Sequence, residues 1–296
     1  MKLTKFLSLI VLLTVSLSVI GQEQSLTIKR IRIHDLFIQA GINGLDMADA
    51  PISDFKALAP QSLLWNTDLT DFFPSGSIIM KNRPMFSALV GFQFSDRQKS
   101  KYKTNSLLRL GISYFSGSKL TGGIFKADSK PFDTLTSSQT GQQLFIDSVS
   151  TRSYTMNYSA EQVRFDGSFI FSTNPIHNFS MFIGIGMTAG FSINANTNIY
   201  YDYYSNKQSN NGSVTYQDYY FEPEKSEHIT NKMNYSVSVY APMGFDFRLG
   251  KENIFWEKIH LFYELRPGVN FTSIPELRTM TNINLQQGLG IRVSVD

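Results

Sequence analysis

The sequence predicts an all-β protein, an eight-stranded antiparallel up-and-down transmembrane β-barrel with three long outer loops. Three observations support this prediction: a secretion signal at the N-terminus, eight segments in which apolar and polar residues alternate, and connections that are long and short in turn. Side chains of a strand alternate between two faces, whereas those of a helix repeat about every 3.6 residues. Strict alternation therefore indicates strands with one apolar and one polar face.

The N-terminus has the organisation of a signal peptide. Two lysines precede an apolar stretch from Phe6 to Ile20, and a small residue follows at Gly21. This apolar stretch is shorter than the ~20 residues that a membrane-spanning helix needs. We expect residues 1–21 to be removed and residues 22–296 to form the outer-membrane β-barrel domain.

Composition excludes several classes of function. The chain has 27 basic and 24 acidic residues, and removing the two signal lysines leaves 27 − 2 = 25 basic residues. This near-neutral balance argues against nucleic acid as a partner. The chain has no cysteine, which excludes disulfides, thiolate nucleophiles, zinc–thiolate sites and an acylated lipoprotein anchor. We expect no cofactor and no metal.

The first four alternating segments include one irregular strand. Ile31 and Ile33 fall on the opposite parity from the apolar residues that follow them, and a β-bulge near His34, or a strand that begins there, would explain the slip. The segments and their apolar faces are 35–42 (Leu36, Ile38, Ala40, Ile42), 86–94 (Phe86, Ala88, Val90, Phe92, Phe94), 108–114 (Leu108, Leu110, Ile112, Tyr114) and 162–171 (Val163, Phe165, Phe169, Phe171).

The last four alternating segments are longer, and the final one shows the pattern most clearly. Each is longer than the ~9–11 residues that a tilted strand needs to cross a bilayer. The segments and their apolar faces are 179–193 (Met181, Ile183, Ile185, Met187, Phe191, Ile193), 235–249 (Val237, Val239, Met243, Phe245, Phe247, Leu249), 257–271 (Ile259, Leu261, Tyr263, Leu265, Val269, Phe271) and 282–295 (Ile283, Leu285, Leu289, Ile291, Val293, Val295).

The composition of the polar faces indicates whether these faces lie inside or outside the barrel. A soluble barrel or sandwich also alternates, but its solvent face should be rich in lysine, glutamate and threonine. Here the polar faces carry glycine, serine, asparagine and glutamine with scattered arginine and aspartate, and lysines collect at turns. Such residues suit the crowded interior of a narrow barrel. A secreted soluble β-protein is the alternative.

The connections alternate in length along the chain. Bacterial barrels have long loops outside and tight turns on the periplasmic side, with both termini periplasmic when the strand number is even. We therefore expect both termini to lie in the periplasm. The long connections lie near residues 43–83, 117–158 and 201–230, the short ones lie at 95–103, 174–178 and 250–256, and a final connection lies near 272–278.

Charged residues on the polar faces form the first candidate site. They would line an ion-selective pore or a binding site, or they would pair with one another and fill the interior. Eight strands leave room only for side chains, and charges in a confined interior must be paired, so we favour the paired filling. This predicted lumen charge network consists of Arg109, Arg164, Asp166, Asp246, Arg248, Glu264, Arg266 and Arg292, and Asp35 would add a further acid.

Catalysis is a weaker hypothesis. A lipid-modifying enzyme needs a nucleophile, a base and an orienting acid at the barrel rim. Of the four histidines, His228 lies in the third long connection beside Ser226 and Glu227. The acidic residues of the same segment, Glu222, Glu224 and Glu227, could bind a hard cation together with His228, but their spacing matches no calcium-binding loop. A solvated loop is therefore the preferred interpretation of this segment.

The long connections form the remaining candidate surface. The first has spaced apolar residues from Pro51 to Phe73 that indicate a short helical segment folded on the barrel mouth. The third is rich in tyrosine, which suits an aromatic girdle and a strand extension able to contact protein or glycan. The predicted contact surface consists of Tyr201, Tyr203, Tyr204, Tyr216, Tyr219 and Tyr220.

Several of these features resemble the outer-membrane β-barrel domain proteins of Bacteroidetes. The resemblance covers residues 22–296 and rests on the Gly21–Gln22 junction, the aromatic strand Phe165–Phe171, the Asn174–Pro175 turn and the closing strand Gly288–Val295. Barrels commonly end in an aromatic residue, whereas this chain ends in Val295–Asp296. The resemblance implies an architecture similar to OmpX-like surface proteins or PorT-like secretion accessories, and an outer-membrane location.

The predicted function is that of a non-enzymatic, monomeric outer-membrane barrel embedded in outer-membrane lipid. Its outer loops would contact an envelope or secretion-system protein, an envelope assembly or an external surface. A narrow pore is the first alternative and a lipid A or phospholipid hydrolase or acyltransferase is the second.

Overall fold

The computed structural model describes residues 31–44, 48–75, 83–94, 105–173, 178–209, 215–250 and 253–295, and most of them lie in β-strands. The predicted signal peptide, the turn at 95–103 and most of the turn at 174–178 lie outside the described residues. Within the described ranges, no helix combines the length and the apolarity needed to cross a membrane.

The strands and helices of the described chain differ widely in length. Two helical segments are short, α1 (Ile52–Leu58) and α2 (Ile254–Glu257), and a 3-10 helix covers Leu63–Asn66. The strands are β1 (Ile31–Gly44), β2 (Ala48–Asp49), β3 (Phe73–Pro74), β4 (Pro84–Phe94), β5 (Asn105–Thr136), β6 (Gln143–Ser172), β7 (Phe179–Ser209), β8 (Thr215–Phe221), β9 (Lys225–Thr230), β10 (Tyr235–Tyr240), β11 (Met243–Arg248), β12 (Ile259–Ser273) and β13 (Met280–Ser294).

Antiparallel pairing links the long strands in an order that returns to its start. β1 pairs with β4, β4 with β5, β5 with β6, and β6 with β7. β7 pairs with both β10 and β11, these two pair with β12, β12 pairs with β13, and β13 pairs with β1. We call this arrangement the ring. Its turn end lies where β1 begins and β13 ends, and its hairpin end is the opposite one.

The sixth predicted strand is interrupted, and the prediction of one continuous strand over 235–249 was wrong. β10 and β11 occupy the same place between β7 and β12, separated by Ala241 and Pro242. Proline has no backbone N–H to donate to a neighbouring strand. The carbonyl of Pro242 still accepts a bond from the backbone N–H of Gly184 at 2.8 Å, so the ladder resumes at once.

The first strand contains the predicted irregularity. The register of β1 against β4 shifts between Ile33 and Asp35, which confirms a bulge at His34. Beyond it the residues alternate regularly, with Phe37 and Gln39 buried and Leu36 and Ile38 exposed. The extra residue therefore sets which side chains of β1 point into the ring.

Most large apolar side chains of the ring point outward, and its charged side chains point inward. Ile38, Phe165 and Ile185 are 69%, 72% and 63% exposed, whereas Arg109 and Glu264 are fully buried. A water-soluble protein places these classes the other way round. The alternation read from the sequence thus corresponds to an apolar outer face and a polar inner face.

Two of the three predicted outer loops are mostly strand, which corrects the description of three long loops. β5 and β6 continue past the ring and remain paired from Ser118–Ser159 to Thr136–Gln143, and β7 continues beside β6. β8 and β9 add to the far side of β7. We call this part, residues 118–159, 194–209 and 215–230, the hairpin extension. Near the ring its inner face carries buried apolar residues such as Met156 and Tyr158, but residues 126–136 of β5 lack the apolar alternation that marks the ring.

The first long connection folds over the hairpin end, and its predicted helix is present as α1. Phe55 and Leu58 of α1 are buried in a cluster of apolar side chains from β5, β6 and β7. The side chain of Asn231 donates a hydrogen bond to the carbonyl of Leu58 at 2.6 Å. The indole of Trp65 donates to the carbonyl of Ala59 at 2.8 Å. This connection closes the hairpin end.

Replacing Phe55 with alanine should release the first long connection. Truncating a buried phenylalanine typically costs about 3–5 kcal/mol, and Phe55 is the larger of the two buried apolar residues of α1. We expect limited trypsin digestion to cleave at Lys56, which is exposed, much faster than in the parent protein. Ser53→Ala, at an exposed position of the same helix, is the matched control. Equal cleavage rates for the two variants would contradict the docking of this connection.

Candidate functional site

The centre of the ring holds four charged side chains that neutralise one another. Arg109 donates two hydrogen bonds to Glu264, at 2.5 and 3.0 Å. Arg266 donates to Glu264 at 2.5 Å and to Asp166 at 2.8 Å. Two guanidinium groups thus face two carboxylates, and the layer has no net charge. We call these four residues the central ionic layer.

Neutral groups complete the hydrogen bonding of the central ionic layer. The hydroxyls of Ser113 and Tyr240 donate to Asp166, the former at 2.7 Å. Arg266 also donates to the side-chain oxygen of Gln39 at 2.9 Å. Because burial removes water from every group, a buried charge is tolerated only when its partners replace the lost hydration. The sequence did not identify Gln39 or Tyr240 as partners, since only the strand register brings them to this level.

A second ionic layer lies at the turn end. Arg292 contacts Asp246 at 2.9 Å and Asp35 at 3.5 Å. The imidazole Nδ1 of His260 lies 2.6 Å from Asp246, and the hydroxyl of Ser294 donates to Asp35 at 2.8 Å. These groups come from β1, β11, β12 and β13. Six of the eight residues of the predicted charge network therefore lie in these two layers, and Arg164 and Arg248 lie outside them.

Arg164 lies nearer the hairpin end among amide and hydroxyl groups. Its guanidinium donates to Gln162 at 3.1 Å and to Asn270 at 3.2 Å, and it lies 4.6 Å from the ring centre of Phe115. Gln162 in turn donates to the side chain of Asn234 at 2.5 Å. This amide layer separates the central ionic layer from the apolar cluster at the hairpin end.

Arg248 lies beside the turn-end layer, where β11 pairs it with His260 of β12. Its guanidinium lies 3.4 Å from the carboxylate of Glu257 on α2, and Glu257 is half exposed. An ion pair in contact with water contributes about 0–1 kcal/mol. Arg248 is thus the member of the predicted charge network that lies at the solvent-exposed margin of the turn end.

Apolar side chains fill the level between the two ionic layers. A cavity of about 40 Å³ beside this level, lined partly by His34, Asp35 and Arg292, has room for a few waters. Buried side chains thus occupy each of the interior levels described above, which favours the paired filling over a pore. The intervening apolar layer consists of Phe37, Leu89, Leu107, Ile170, Phe182 and Phe262.

The predicted tyrosine surface is distributed over two faces of the hairpin extension. Tyr201 packs 5.0 Å from Tyr154 on the inner face, and burial raises the pKa of its hydroxyl. Tyr203 lies on the same face, whereas Tyr204 points to the opposite one. Tyr220 is 59% exposed and meets Tyr203 edge to face. The side chains of the remaining two, Tyr216 and Tyr219, lie outside the described part, although their backbone belongs to β8.

The residues around His228 do not converge on a catalytic triad. Ser226 and Glu227 are neighbours on β9, so their side chains point to opposite faces. Glu227 accepts a hydrogen bond from the backbone N–H of Leu63, and the imidazole of His228 lies 2.6 Å from the side-chain oxygen of Asn198. Among the described residues, no group of three or more histidine and acidic side chains is arranged to hold a metal ion.

One cleft on the hairpin extension was not predicted from the sequence. It has a volume of about 460 Å³ and lies on the inner face of the sheet, where β5, β6 and β7 run side by side. Charged and tyrosine side chains line it together, Asp128, Arg152, Tyr201 and Tyr203 among them. No local pattern marks these residues, because long-range pairing of three strands assembles them.

Comparisons with protein-family models and with curated proteins give no match. Solved structures with some likeness include Neisserial surface protein A, 9% identical, with a TM-score of 0.28 over 89% of this chain and 98% of that one. Ail of Yersinia pestis, solved with the heparin analogue sucrose octasulfate, is 11% identical, with a TM-score of 0.22 over 88% and 99%. The translocator domain of the Neisseria meningitidis autotransporter NalP is 8% identical, with a TM-score of 0.17 over 98% and 97%. TM-scores of this size do not establish a shared fold.

Proposed function

We propose that this chain is an integral bacterial outer-membrane protein whose ring is a closed, eight-stranded up-and-down β-barrel. In this count β10 and β11 together are one of the eight strands, because they share the place between β7 and β12. The observation that carries the proposal is the inverted distribution of side chains, with phenylalanine and isoleucine outside and paired arginine and carboxylate inside. In water the outer face would be costly to expose, whereas in a bilayer it meets hydrocarbon.

The dimensions of the ring support this proposal. From Ile283 on β13 to Val295 just beyond it, the outward apolar residues cover about 40 Å along the strand at ~3.3 Å per residue. With a tilt of ~40°, this length corresponds to a height of about 30 Å, similar to the hydrocarbon core of a bilayer. The outward apolar residues of β13 thus cover the height that a membrane-spanning strand needs.

The proposed orientation places the turn end in the periplasm, with both termini, and the hairpin extension outside the cell. Three short connections lie at the turn end, and the three long ones lie at the opposite end, together with the short connection 274–279. This asymmetry is the usual one for bacterial barrels. The extension then offers a surface for contact with an envelope component or an external surface, and we assign the protein that contact role without an enzymatic one.

Fractionation of a Gram-negative host that expresses the full chain tests the proposed location. We expect the protein in the outer-membrane fraction, resistant to extraction by urea, and with a faster gel mobility before heating than after it. Protease added to intact cells should cut the hairpin extension and spare the turn end. Recovery of a monomeric protein that stays in solution without detergent would overturn the proposal.

A further inference from the structure

The cleft on the inner face of the hairpin extension has the features of a ligand site. Its walls come from three adjacent strands: Asp128 and Lys130 from β5, Ser150 and Arg152 from β6, and Tyr201 and Tyr203 from β7, with Glu222 following β8. All six strand residues share one face, because Asp128 is paired with Ser150, Arg152 with Tyr203, and Tyr154 with Tyr201.

The polar groups of the cleft are held in place before any ligand arrives. The guanidinium of Arg152 donates to Asp128 at 2.6 Å and lies 5.8 Å from the ring centre of Phe72 in the first long connection. Phe72 packs in turn on Tyr154, with ring centres 5.5 Å apart. A site that is already ordered loses less conformational entropy when it binds.

Two tyrosines form the aromatic wall. Tyr201 and Tyr203 are two residues apart on β7, so they stand side by side about 7 Å apart along the strand. Tyr154 supports the first ring, and Tyr220 contacts the second edge to face at 6.3 Å. Both rings can therefore contact the same extended ligand.

The charged groups of the cleft are paired with one another. Arg152 and Lys126 lie 2.6 and 4.0 Å from Asp128, and Lys225 lies 3.5 Å from Glu222 and 5.3 Å from the ring centre of Tyr201. The hydrogen bond from Arg152 lowers the pKa of the Asp128 carboxyl, so this group remains an acceptor at neutral pH. Because each carboxylate already has cationic partners, a strongly charged ligand of either sign would have to break these ion pairs. A neutral ligand rich in both donors and acceptors avoids this cost.

The backbone geometry disfavours an added peptide strand. β6 runs through the middle of the cleft and is paired on both sides at Arg152, with Lys126 on β5 and Tyr203 on β7. Its N–H and C=O groups are therefore engaged, and a peptide cannot extend the sheet at this place. Only side chains are offered to a ligand, chiefly carboxylates, a guanidinium and aromatic rings.

From these observations we infer that the cleft binds a neutral oligosaccharide, with sugar rings against Tyr201 and Tyr203. Sugar hydroxyls would donate to Asp128 and Glu222 and accept from Arg152, while the C–H faces of the sugars would cover the tyrosine rings. This inference rests on the proposed contact role of the hairpin extension and names the chemical class of its partner.

Binding of three neutral probes to the full chain in LDAO micelles tests the inference: maltohexaose, cellohexaose and laminarihexaose. A detergent without a sugar head group avoids competition for the site. We expect saturation-transfer NMR and calorimetric titration to show binding of at least one probe. Tyr203→Ala should weaken that binding about tenfold or more, whereas Tyr204→Ala, on the opposite face of the same strand, should leave it unchanged.

Asp128→Asn provides a second variant that keeps the size of the side chain, and it should weaken binding several-fold. Failure of all three probes to bind, equal losses for Tyr203→Ala and Tyr204→Ala, or tighter binding of a heparin hexasaccharide or of a neutral peptide would each overturn the inference. Heat-dependent gel mobility, measured on the same samples, reports the membrane fold separately. If the parent protein binds no sugar but its gel mobility still depends on heating, the saccharide site is refuted and the proposed membrane fold is not.

Discussion

Glu264→Gln is expected to destabilise the protein by about 3–5 kcal/mol, because it leaves the buried Arg109 and Arg266 with one carboxylate between them. The amide is nearly the size of the carboxylate, so the loss comes from charge and not from a cavity. Burial excludes the water that would otherwise solvate the excess positive charge. Urea unfolding of protein refolded into lipid vesicles, followed by tryptophan fluorescence, measures the change in the free energy of unfolding.

Glu257→Gln is the matched control for this prediction. It removes the same charge from the half-exposed pair with Arg248, and we expect a change within about 1 kcal/mol. The double variant Arg109→Met, Glu264→Leu removes one charge of each sign and should be less destabilised than the sum of its two single variants. If Glu264→Gln lost no more stability than Glu257→Gln, the central ionic layer would not be a closed, paired group.

Ile185→Lys is expected to destabilise the membrane-inserted protein by about 2–4 kcal/mol, because it places an ammonium group in hydrocarbon. Ile185 lies in the middle of the outward face of β7 and is 63% exposed. If this face were in water, a lysine there would change stability by no more than about 0.5 kcal/mol. Unfolding from vesicles by urea provides the measurement.

Phe145→Lys tests whether the penalty depends on position. Phe145 is 49% exposed but lies on the hairpin extension, beyond the proposed lipid band. We expect its replacement to change the free energy of unfolding little. Equal effects at both positions would mean that the two faces have the same surroundings, and the proposed bilayer boundary between them would be wrong.

The extension strands show why part of the architecture could not be predicted. Residues 126–136 of β5 include four lysine or aspartate residues and a proline, a composition typical of a loop. The same segment pairs with β6 as far as Gln143, with a register shift at Pro131. Apolar alternation indicates a strand only when one face is apolar, and residues 126–136 have no apolar face. The break at Pro242, by contrast, had a local signal in the missing N–H.

The sequence alone determined which side chains face each way in the ring, because the parity of a strand residue is fixed by its position and by bulges such as the one at His34. It also determined the presence of α1. The tertiary structure alone decided that the inward charges divide into a central and a turn-end layer, and that Asp128, Arg152 and Tyr203 share one cleft. The physical reason is register: contacts between strands distant in the chain depend on how far each is shifted along its neighbour, and local sequence does not specify that shift.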